Sequence, residues 1–172
     1  MFPRAGWGSD LHRIVPADLD GVSASGFMLA GVRIDDPRRV LAHSDGDVAF
    51  HALADALLGA LACGDLGDLF PDDAPENANR DSAEFLLAAL DRVRAAGYRV
   101  GNVDVTIRLQ QPRLGLLKAR MRERIAGLLG LDAARVSIKA KTGEGLDAVG
   151  LGHAVAAEAL ALLLPVREGA ET

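Results

Sequence analysis

Strict alternation of apolar and polar side chains marks one stretch in the second half of the chain. From Val103 to Leu109 the residues read V-D-V-T-I-R-L, so every second side chain is apolar. Because successive side chains of a strand point to opposite faces, this period of two predicts a β-strand with one face in the core. Shorter segments, 27–34 and 135–140, predict two further strands. The chain must therefore fold around a sheet.

Helical patterns lie between these strands. Apolar spacing predicts four helices, over residues 45–63, 81–97, 116–129 and 153–164. Ser44 and Asp45 are candidate caps of the first, and Asp81 with Glu84 resembles a capping box at the second. Residues 6–12 predict a short strand, whereas 15–26 and 65–79 predict loops. Strands and helices mix without a regular βαβ repeat, which predicts an α+β fold with a mixed sheet.

Length and composition predict a single globular domain over residues 1–172. The 172 residues are enough for a substantial core, and 49% hydrophobic with 25% charged residues is typical of a globular protein. We find no internal repeat, low-complexity block or long linker that would divide the chain.

Several classes of protein fit the sequence poorly. A net charge of −5 argues against a general nucleic-acid binder. The longest apolar runs, 48–53 and 159–166, are much shorter than the roughly 20 residues of a membrane span. No secretory signal is visible in residues 1–20, and the single cysteine, Cys63, cannot form an internal disulfide. We therefore expect a cytoplasmic protein without a membrane or nucleic-acid partner.

The negative charge is concentrated between Asp35 and Asp81. This segment holds ten aspartates and one glutamate against three arginines, a local net charge of −8. A solvated acidic surface is one interpretation. The segment also contains His43 and His51, while Asp10 and His12 lie upstream. Carboxylates mixed with imidazoles are typical ligands of divalent metals, which favours a metal site.

Spacing suggests which residues hold the metal. Asp10 and His12 lie two apart on a predicted strand end, so their side chains project to the same side. His51 lies one helical turn from both Asp47 and Asp55, which would share its helix face. Three protein ligands with a fourth position open is the arrangement of a catalytic zinc. A histidine that is merely packed in the helix remains the alternative.

His43 and Ser44 precede the predicted start of the first helix. Backbone N–H groups at a helix N-terminus bind anions, so a histidine and a hydroxyl there suit a phosphate contact. The alternative is that Ser44 and Asp45 only cap the helix.

Taken together, these motifs resemble the family of 2-C-methyl-D-erythritol 2,4-cyclodiphosphate synthases. The most specific segments are G-S-D-L-H at 8–12, H-S-D-G-D-V at 43–48 and H-A-L-A-D-A-L-L-G-A at 51–60. Further similar segments are G-D-L-G at 64–67, F-P-D at 70–72, G-Y at 97–98, G-N-V-D at 101–104 and K-A-K-T at 139–142. The similarity runs in order from about Arg4 to Leu164.

This resemblance implies an enzyme of non-mevalonate isoprenoid biosynthesis. It would cyclise 4-diphosphocytidyl-2-C-methyl-D-erythritol 2-phosphate and release CMP, through attack of the 2-phosphate on the β-phosphate of the same molecule. Members of the family are homotrimers of α+β subunits, with helices on one face of the sheet and the sheets around the threefold axis. Their active sites lie between neighbouring subunits.

Roles of individual residues are also implied by the resemblance. Asp10, His12 and His51 correspond to zinc ligands, and Glu144 to a ligand of a second divalent cation, Mg²⁺ or Mn²⁺. His43 and Thr142 correspond to catalytic residues that stabilise the transition state. The implied substrate-binding residues are Asp10, His12, His43, Ser44, Asp65, Gly67, Phe70, Asp72, Leu109, Gln110, Gln111, Pro112, Arg113, Leu114, Gly115, Lys141, Thr142, Gly143 and Glu144.

Some positions depart from the family pattern. Ala148 stands in place of an aromatic residue, Leu151 in place of an arginine associated with phosphate binding, and Ala74 where an acidic residue is frequent. The implied metal ligands are all retained, so we expect an active synthase. Two alternatives stay open: a trimeric zinc-binding paralogue with lost or altered substrate specificity, and a zinc hydrolase that attacks a phosphoester with metal-bound water.

Overall fold

The centre of the molecule is a five-stranded mixed sheet with strand order β4-β1-β7-β5-β6. The computed structural model describes residues 1–21, 24–71 and 80–166. The strands are β1 (Arg4–Pro16), β2 (Phe27–Leu29), β3 (Val32–Ile34), β4 (Arg38–Leu41), β5 (Tyr98–Arg108), β6 (Val136–Lys141) and β7 (Ala154–Pro165). The helices are α1 (Val48–Leu61), α2 (Leu66–Leu69), α3 (Ser82–Ala95) and α4 (Lys118–Leu129), with 3-10 turns at Leu19–Gly21 and Ala133–Arg135.

Both orientations of strand pairing occur in this sheet. β5 and β6 are parallel, whereas β1 is antiparallel to β4 and β7, and β7 is antiparallel to β5. β2 and β3 form a separate hairpin. Three of the predicted helices are confirmed as α1, α3 and α4, and the α+β class with a mixed sheet is confirmed as well.

The helix predicted over residues 153–164 is wrong, because this segment forms β7, the central strand of the sheet. Alanine and leucine favour helices in isolation, and that composition suggested the helix. In the structure β7 is hydrogen bonded to β1 on one side and to β5 on the other. Its alanines Ala157, Ala159 and Ala161 are buried beneath α1, where small side chains let the helix lie close. Tertiary packing therefore outweighs local propensity here.

The N-terminal half also differs from the predicted elements. Residues 27–34 form not one strand but a hairpin, because Ala30 and Gly31 have positive φ values of 51° and 69° and reverse the chain. β1 extends to Pro16, well into the predicted loop, and β4 was not predicted. The short α2 lies inside the predicted 65–79 loop.

Close approach of α1 to β1 depends on two glycines. Gly6 and Gly8 are buried and face the α1 backbone. A Cβ atom on Gly6 would lie 1.9 Å from the carbonyl oxygen of Ala56, and one on Gly8 would lie 2.3 Å from that of Ala52. Real Cβ atoms do not approach so closely, so only glycine lets α1 rest directly on this strand.

A buried carboxylate joins the β2–β3 hairpin to the start of α1. Asp47 is the N-cap of α1, and its side chain accepts hydrogen bonds from the backbone N–H groups of Ala49 and Phe50. It also accepts from Ala30 (2.8 Å) and Gly31 (2.7 Å) in the hairpin turn. Burial raises the pKa of Asp47 to about 6, so the carboxylate is mostly ionised at neutral pH and serves four donors.

Replacing Asp47 by asparagine should destabilise the fold by about 1–3 kcal/mol, because the new amide would point an N–H group at the N–H of Gly31. Denaturant unfolding at pH 7.5 measures the change. The matched control is Asp81→Asn, at the exposed N-cap of α3. Asparagine caps as well as aspartate, so that variant should stay within about 0.5 kcal/mol of the parent. Equal effects at both positions would contradict the anchoring role of Asp47.

The sheet face opposite α1 carries exposed apolar side chains. Trp7 and Leu11 of β1 and Leu160 of β7 are 63%, 59% and 44% exposed. Trp7 and Leu160 are cross-strand partners, and the pair Ser9 and Glu158 separates them from Leu11 on the same face. We refer to Trp7, Leu11 and Leu160 as the interrupted apolar strip, or the strip. None of the described helices is long and apolar enough to cross a membrane.

Candidate active site

One carboxylate and two imidazoles meet where β1 passes under α1. The Oδ2 atom of Asp10 lies 2.8 Å from Nδ1 of His51 and 3.2 Å from Nε2 of His12. The two imidazole nitrogens are 3.4 Å apart. Asp10 and His12 share a side of β1 because they are two residues apart, and α1 brings His51 across to them.

The donor set fits a divalent cation. One ligand atom from each of the three residues lies within 4.8 Å of the others, and all three side chains are half-buried. Burial by itself raises the pKa of Asp10, but hydrogen bonding to His51 and the proximity of both imidazoles hold this pKa below its ordinary value. Asp10 therefore stays ionised, which a carboxylate ligand requires.

These donors face a cleft of about 390 Å³. Its lining residues are Asp10, His12, Leu41, Ala42, His43, Ser44, His51, Asp55, Leu66, Gly67, Phe70 and Phe85. His43 is exposed and Ser44 is half-buried, and both precede the N-terminus of α1. Six of the predicted site residues (Asp10, His12, His43, Ser44, Gly67 and Phe70) thus lie in one cleft with His51.

The wall beyond the donors is built by α2 and α3. Asp65 caps α2 and forms a reciprocal capping box with Asp68, which leaves Asp65 exposed beside the cleft. Asp55 of α1 accepts a 2.7 Å hydrogen bond from the backbone N–H of Leu66 and so ties α2 to α1. Burial raises the pKa of Asp55, and the nearby charges of Asp65 and Asp10 raise it further. Asp72 lies outside the described residues.

A second group of predicted residues lies together elsewhere. Leu109 donates its backbone N–H to the carbonyl of Lys141, and the side-chain oxygen of Gln110 accepts from the N–H of Gly143 at 3.2 Å. Arg38 donates to the carbonyl of Gln111 at 2.9 Å, immediately before the cis peptide bond to Pro112. The residues of this group are Leu109, Gln110, Gln111, Pro112, Arg113, Leu114, Gly115, Lys141, Thr142, Gly143 and Glu144.

Thr142 and Glu144 contact each other within this second group. The Thr142 hydroxyl donates to Oε1 of Glu144 at 2.6 Å. Glu144 adopts a φ of 51°, a left-handed conformation that is costly for a residue other than glycine. The described residues that line the cleft include no member of this second group. In this single chain, the two sets of predicted residues therefore form separate surfaces.

Sequence reasoning missed part of the site. It grouped Asp47 with His51 and Asp55 on one helix face, but Asp47 is the buried cap and faces the hairpin instead. It also missed Ser82 and Phe85 of α3, which lie against the His51 ring: the Ser82 Oγ is 2.9 Å from Nε2, and the two ring centroids are 5.7 Å apart. No local signal identifies these two residues, because α3 reaches the site only through tertiary packing.

The fold and the cleft define a class of α+β proteins with an Asp-His-His centre suited to a divalent metal. A model described as the YgbB family matches residues 3–164 of this chain. The chain belongs to the YgbB family, and the family resemblance is thereby confirmed.

Known proteins of high similarity support this membership. A 2-C-methyl-D-erythritol 2,4-cyclodiphosphate synthase of Xanthomonas oryzae pv. oryzae is 46% identical over 160 residues, which cover 93% of this chain and 94% of that protein. A bifunctional enzyme IspD/IspF of Novosphingobium aromaticivorans is 46% identical over 164 residues; the match covers 95% of this chain but only 41% of that protein. The structure of IspF from Plasmodium falciparum in a CDP complex superposes with a TM-score of 0.81 at 34% identity, covering 96% of this chain and 98% of that one.

Proposed function

We propose that this protein is a cyclodiphosphate synthase, acting as a single domain over residues 1–172. It converts 4-diphosphocytidyl-2-C-methyl-D-erythritol 2-phosphate into 2-C-methyl-D-erythritol 2,4-cyclodiphosphate and releases CMP, which makes it a phosphorus–oxygen lyase of isoprenoid precursor biosynthesis. The observation that carries this proposal is the Asp10-His12-His51 donor set in a cleft shared with His43 and Ser44. A chain similar in sequence over nearly its full length bears the synthase name.

Asp10, His12 and His51 would hold Zn²⁺, and Glu144 would be a ligand of a second cation, Mg²⁺ or Mn²⁺. Bound there, the metals supply Lewis acidity and neutralise phosphate charge. The need for cations follows from charge, since an anionic substrate must approach a segment with a net charge of −8 between Asp35 and Asp81.

The side chains of the chain itself position the substrate. His43 and Ser44 lie ahead of the α1 N-terminus, where they can donate hydrogen bonds to phosphate oxygens. Gly67 and Phe70 line the opposite wall, with Asp65 beside it for the polyol hydroxyls. Because the attacking phosphate and its target belong to one molecule, the principal task of the protein is to fold the substrate into an in-line pose, and no protein nucleophile is needed.

The second group of residues would receive the cytidine end of the substrate. Backbone groups of residues 109–115 suit cytosine, whereas Lys141, Thr142 and Gly143 suit the diphosphate and Thr142 stabilises its charge during transfer. Since this group and the metal donors form separate surfaces of one subunit, a complete site needs both surfaces to meet. We propose that they meet between neighbouring subunits of a homotrimer. The strip of Trp7, Leu11 and Leu160 supports this assembly, because large apolar side chains exposed on one face of an open sheet are typical of a subunit interface, even where a polar pair interrupts them.

Trp7→Glu should disrupt the trimer, since a charge on this strip would have to be buried at the interface. We expect gel filtration with light scattering to show a mass near 18.0 kDa for the variant instead of about three times that mass, together with loss of cyclisation. The control is Leu87→Glu on α3, a partly exposed leucine away from the strip, which should remain assembled. A variant at Trp7 that stays trimeric and active would contradict this interface.

The proposed activity is tested by incubating the purified chain with the diphosphocytidyl substrate, Zn²⁺ and Mg²⁺, with and without a chelator. CMP and a cyclic diphosphate should form only without the chelator. Ala148 and Leu151 do not line the cleft, so the departures at these positions leave the metal donors intact. No CMP under saturating metal would instead favour the zinc-binding paralogue, and a linear product that carries oxygen from water would favour the hydrolase. Cytoplasmic location stays a prediction.

A further inference from the structure

A fully buried serine connects the metal donors to the start of α3. Ser82 is the first residue of α3 and has no exposed surface. Its Oγ atom lies 2.9 Å from Nε2 of His51, on the opposite side of the imidazole from Asp10. The same hydroxyl forms a short hydrogen bond with Oδ1 of Asp45.

The direction of these hydrogen bonds follows from the number of protons available. A carboxylate only accepts, so the single hydroxyl proton of Ser82 is donated to Asp45. The Ser82 oxygen can then only accept from the imidazole, which places a proton on Nε2 of His51. Without a metal, Nδ1 of His51 lies 2.8 Å from Oδ2 of Asp10 and donates to this carboxylate. A cation bound between Asp10, His12 and His51 would take the place of that proton, while Nε2 would keep its hydrogen bond to Ser82.

We propose that Ser82 and Asp45 are positioning residues of the metal centre: by accepting a hydrogen bond from Nε2 of His51, Ser82 holds the ring in the orientation in which Nδ1 faces the metal position. The inference rests on the metal site of the proposed function. Histidine ligands of metals commonly donate their other ring N–H to a carboxylate or carbonyl, and this partner orients the ring and raises its basicity. Here the carboxylate acts through an intervening hydroxyl.

Contacts with the surrounding residues hold the Ser82–Asp45 pair in place beside His51. The N–H of Asp45 donates to the carbonyl of Arg80 at 3.1 Å, which joins the segment before α1 to the segment before α3. Oδ1 of Asp45 also accepts from the N–H of Asp47 at 3.2 Å. On the other side, Phe85 packs against the His51 ring. These contacts keep Asp45, Ser82 and the His51 ring next to one another.

Ser44 is the competing partner of the same nitrogen. Its Oγ atom lies 3.3 Å from Nε2 of His51 and accepts a 3.2 Å hydrogen bond from the N–H of Gly46. The distance from Ser44 Oγ to Nε2 is longer than the 2.9 Å from Ser82 Oγ to the same nitrogen, and Ser44 is only half-buried at the cleft wall. Because Ser44 contacts the ring without a carboxylate behind it, it provides a matched comparison for Ser82.

The experiment measures Zn²⁺ affinity of the metal-free chain by competition with a chromophoric chelator, with no substrate present. Ser82→Ala should weaken zinc binding by about 10–100-fold, as loss of such an outer partner does elsewhere. Asp45→Asn keeps an acceptor for Ser82 but removes its charge, so a smaller loss of a few-fold is expected. Ser44→Ala should change the affinity by less than about threefold.

A second measurement follows the proton itself. In the zinc-loaded chain, NMR should detect the Nε2–H proton of His51 as a slowly exchanging resonance in the parent and in Ser44→Ala, because the Ser82 oxygen accepts it. In Ser82→Ala this proton should exchange rapidly with water. This readout would not change if Ser82 were only a packing residue, so it separates positioning from general stability.

Three outcomes overturn the inference: unchanged zinc affinity in Ser82→Ala, a larger loss in Ser44→Ala than in Ser82→Ala, or an Nε2–H exchange rate of His51 that is the same in Ser82→Ala as in the parent. If Ser82→Ala does not fold, Asp45→Asn decides the question, and an unchanged zinc affinity in that variant contradicts the positioning role of the Ser82–Asp45 pair. Failure of the proposed function is seen separately, as absence of CMP release by a parent chain that binds zinc. A parent chain that binds no zinc overturns the metal site and this inference together.

Discussion

Replacing His51 by alanine should remove bound zinc and lower the cyclisation rate by about 10³-fold or more. Only Asp10 and His12 would remain as donors, and two ligands do not hold the ion tightly. The Lewis acidity of a metal contributes several kcal/mol to charge stabilisation, and each 1.36 kcal/mol of barrier changes a rate tenfold. Zinc content by elemental analysis and CMP release measured on the same sample would check both parts.

His153→Ala is the matched control, because His153 immediately precedes β7 and lies outside the cleft. It should keep the zinc content of the parent. A His51→Ala variant that retained full zinc would show that the donor set is wrong, whereas loss of zinc without loss of activity would show that the reaction does not depend on this metal.

Gly6→Ala should destabilise the protein by about 3 kcal/mol, because the added methyl group would overlap the α1 backbone. The new Cβ would lie 1.9 Å from the Ala56 oxygen, 2.5 Å from the Ala60 nitrogen and 2.8 Å from the Ala60 Cβ. Helix α1 would have to move off β1, with loss of packing along its buried face. At a fixed protein concentration, the unfolding midpoint should fall by about 6–12 °C.

Gly127→Ala is the contrasting substitution. Gly127 is exposed in the last turn of α4, and no atom lies within 4 Å of its added Cβ. Alanine there should stabilise the fold by about 0.5–1 kcal/mol, since glycine is a poor residue inside a helix. Opposite signs at the two glycines would confirm that close helix–strand approach, and not glycine content, determines the effect. A Gly6→Ala variant as stable as the parent would contradict the packing described.

Local patterns predicted the elements whose two faces differ. The alternation from Val103 to Leu109 became β5, and α1, α3 and α4 followed their apolar spacing. β7 was not predicted as a strand, because most of its residues are apolar or small on both faces. Neither the strand period of two nor the helix period of 3.6 is visible in such a segment. The assignment of this strand depends on pairing with β1 and β5, which are distant in the chain.

The candidate site shows the same division. Asp10 and His12 could be paired from their spacing, and His51 could be added through helix periodicity and the family resemblance. Ser82 could not, because 31 residues separate it from His51 and a serine at a helix start ordinarily indicates nothing more than capping. The sequence assigned Asp47 to the wrong surface, because the hydrogen bonds that it accepts from Ala30 and Gly31 depend on where the hairpin folds back.

The amino-acid sequence alone determined the family, the α+β class and the chemical character of the donors, because motif order and residue type are properties of the linear chain. Tertiary structure alone decided that residues 154–165 form the central strand, that Asp47 is buried away from the cleft, and that Ser82 contacts the His51 ring. The physical reason is that hydrogen bonding and burial between distant segments depend on distances that a local pattern does not encode. Gly6 shows how sequence and tertiary structure depend on each other. Because this residue has no side chain, α1 can contact β1, and that contact brings His51 to Asp10.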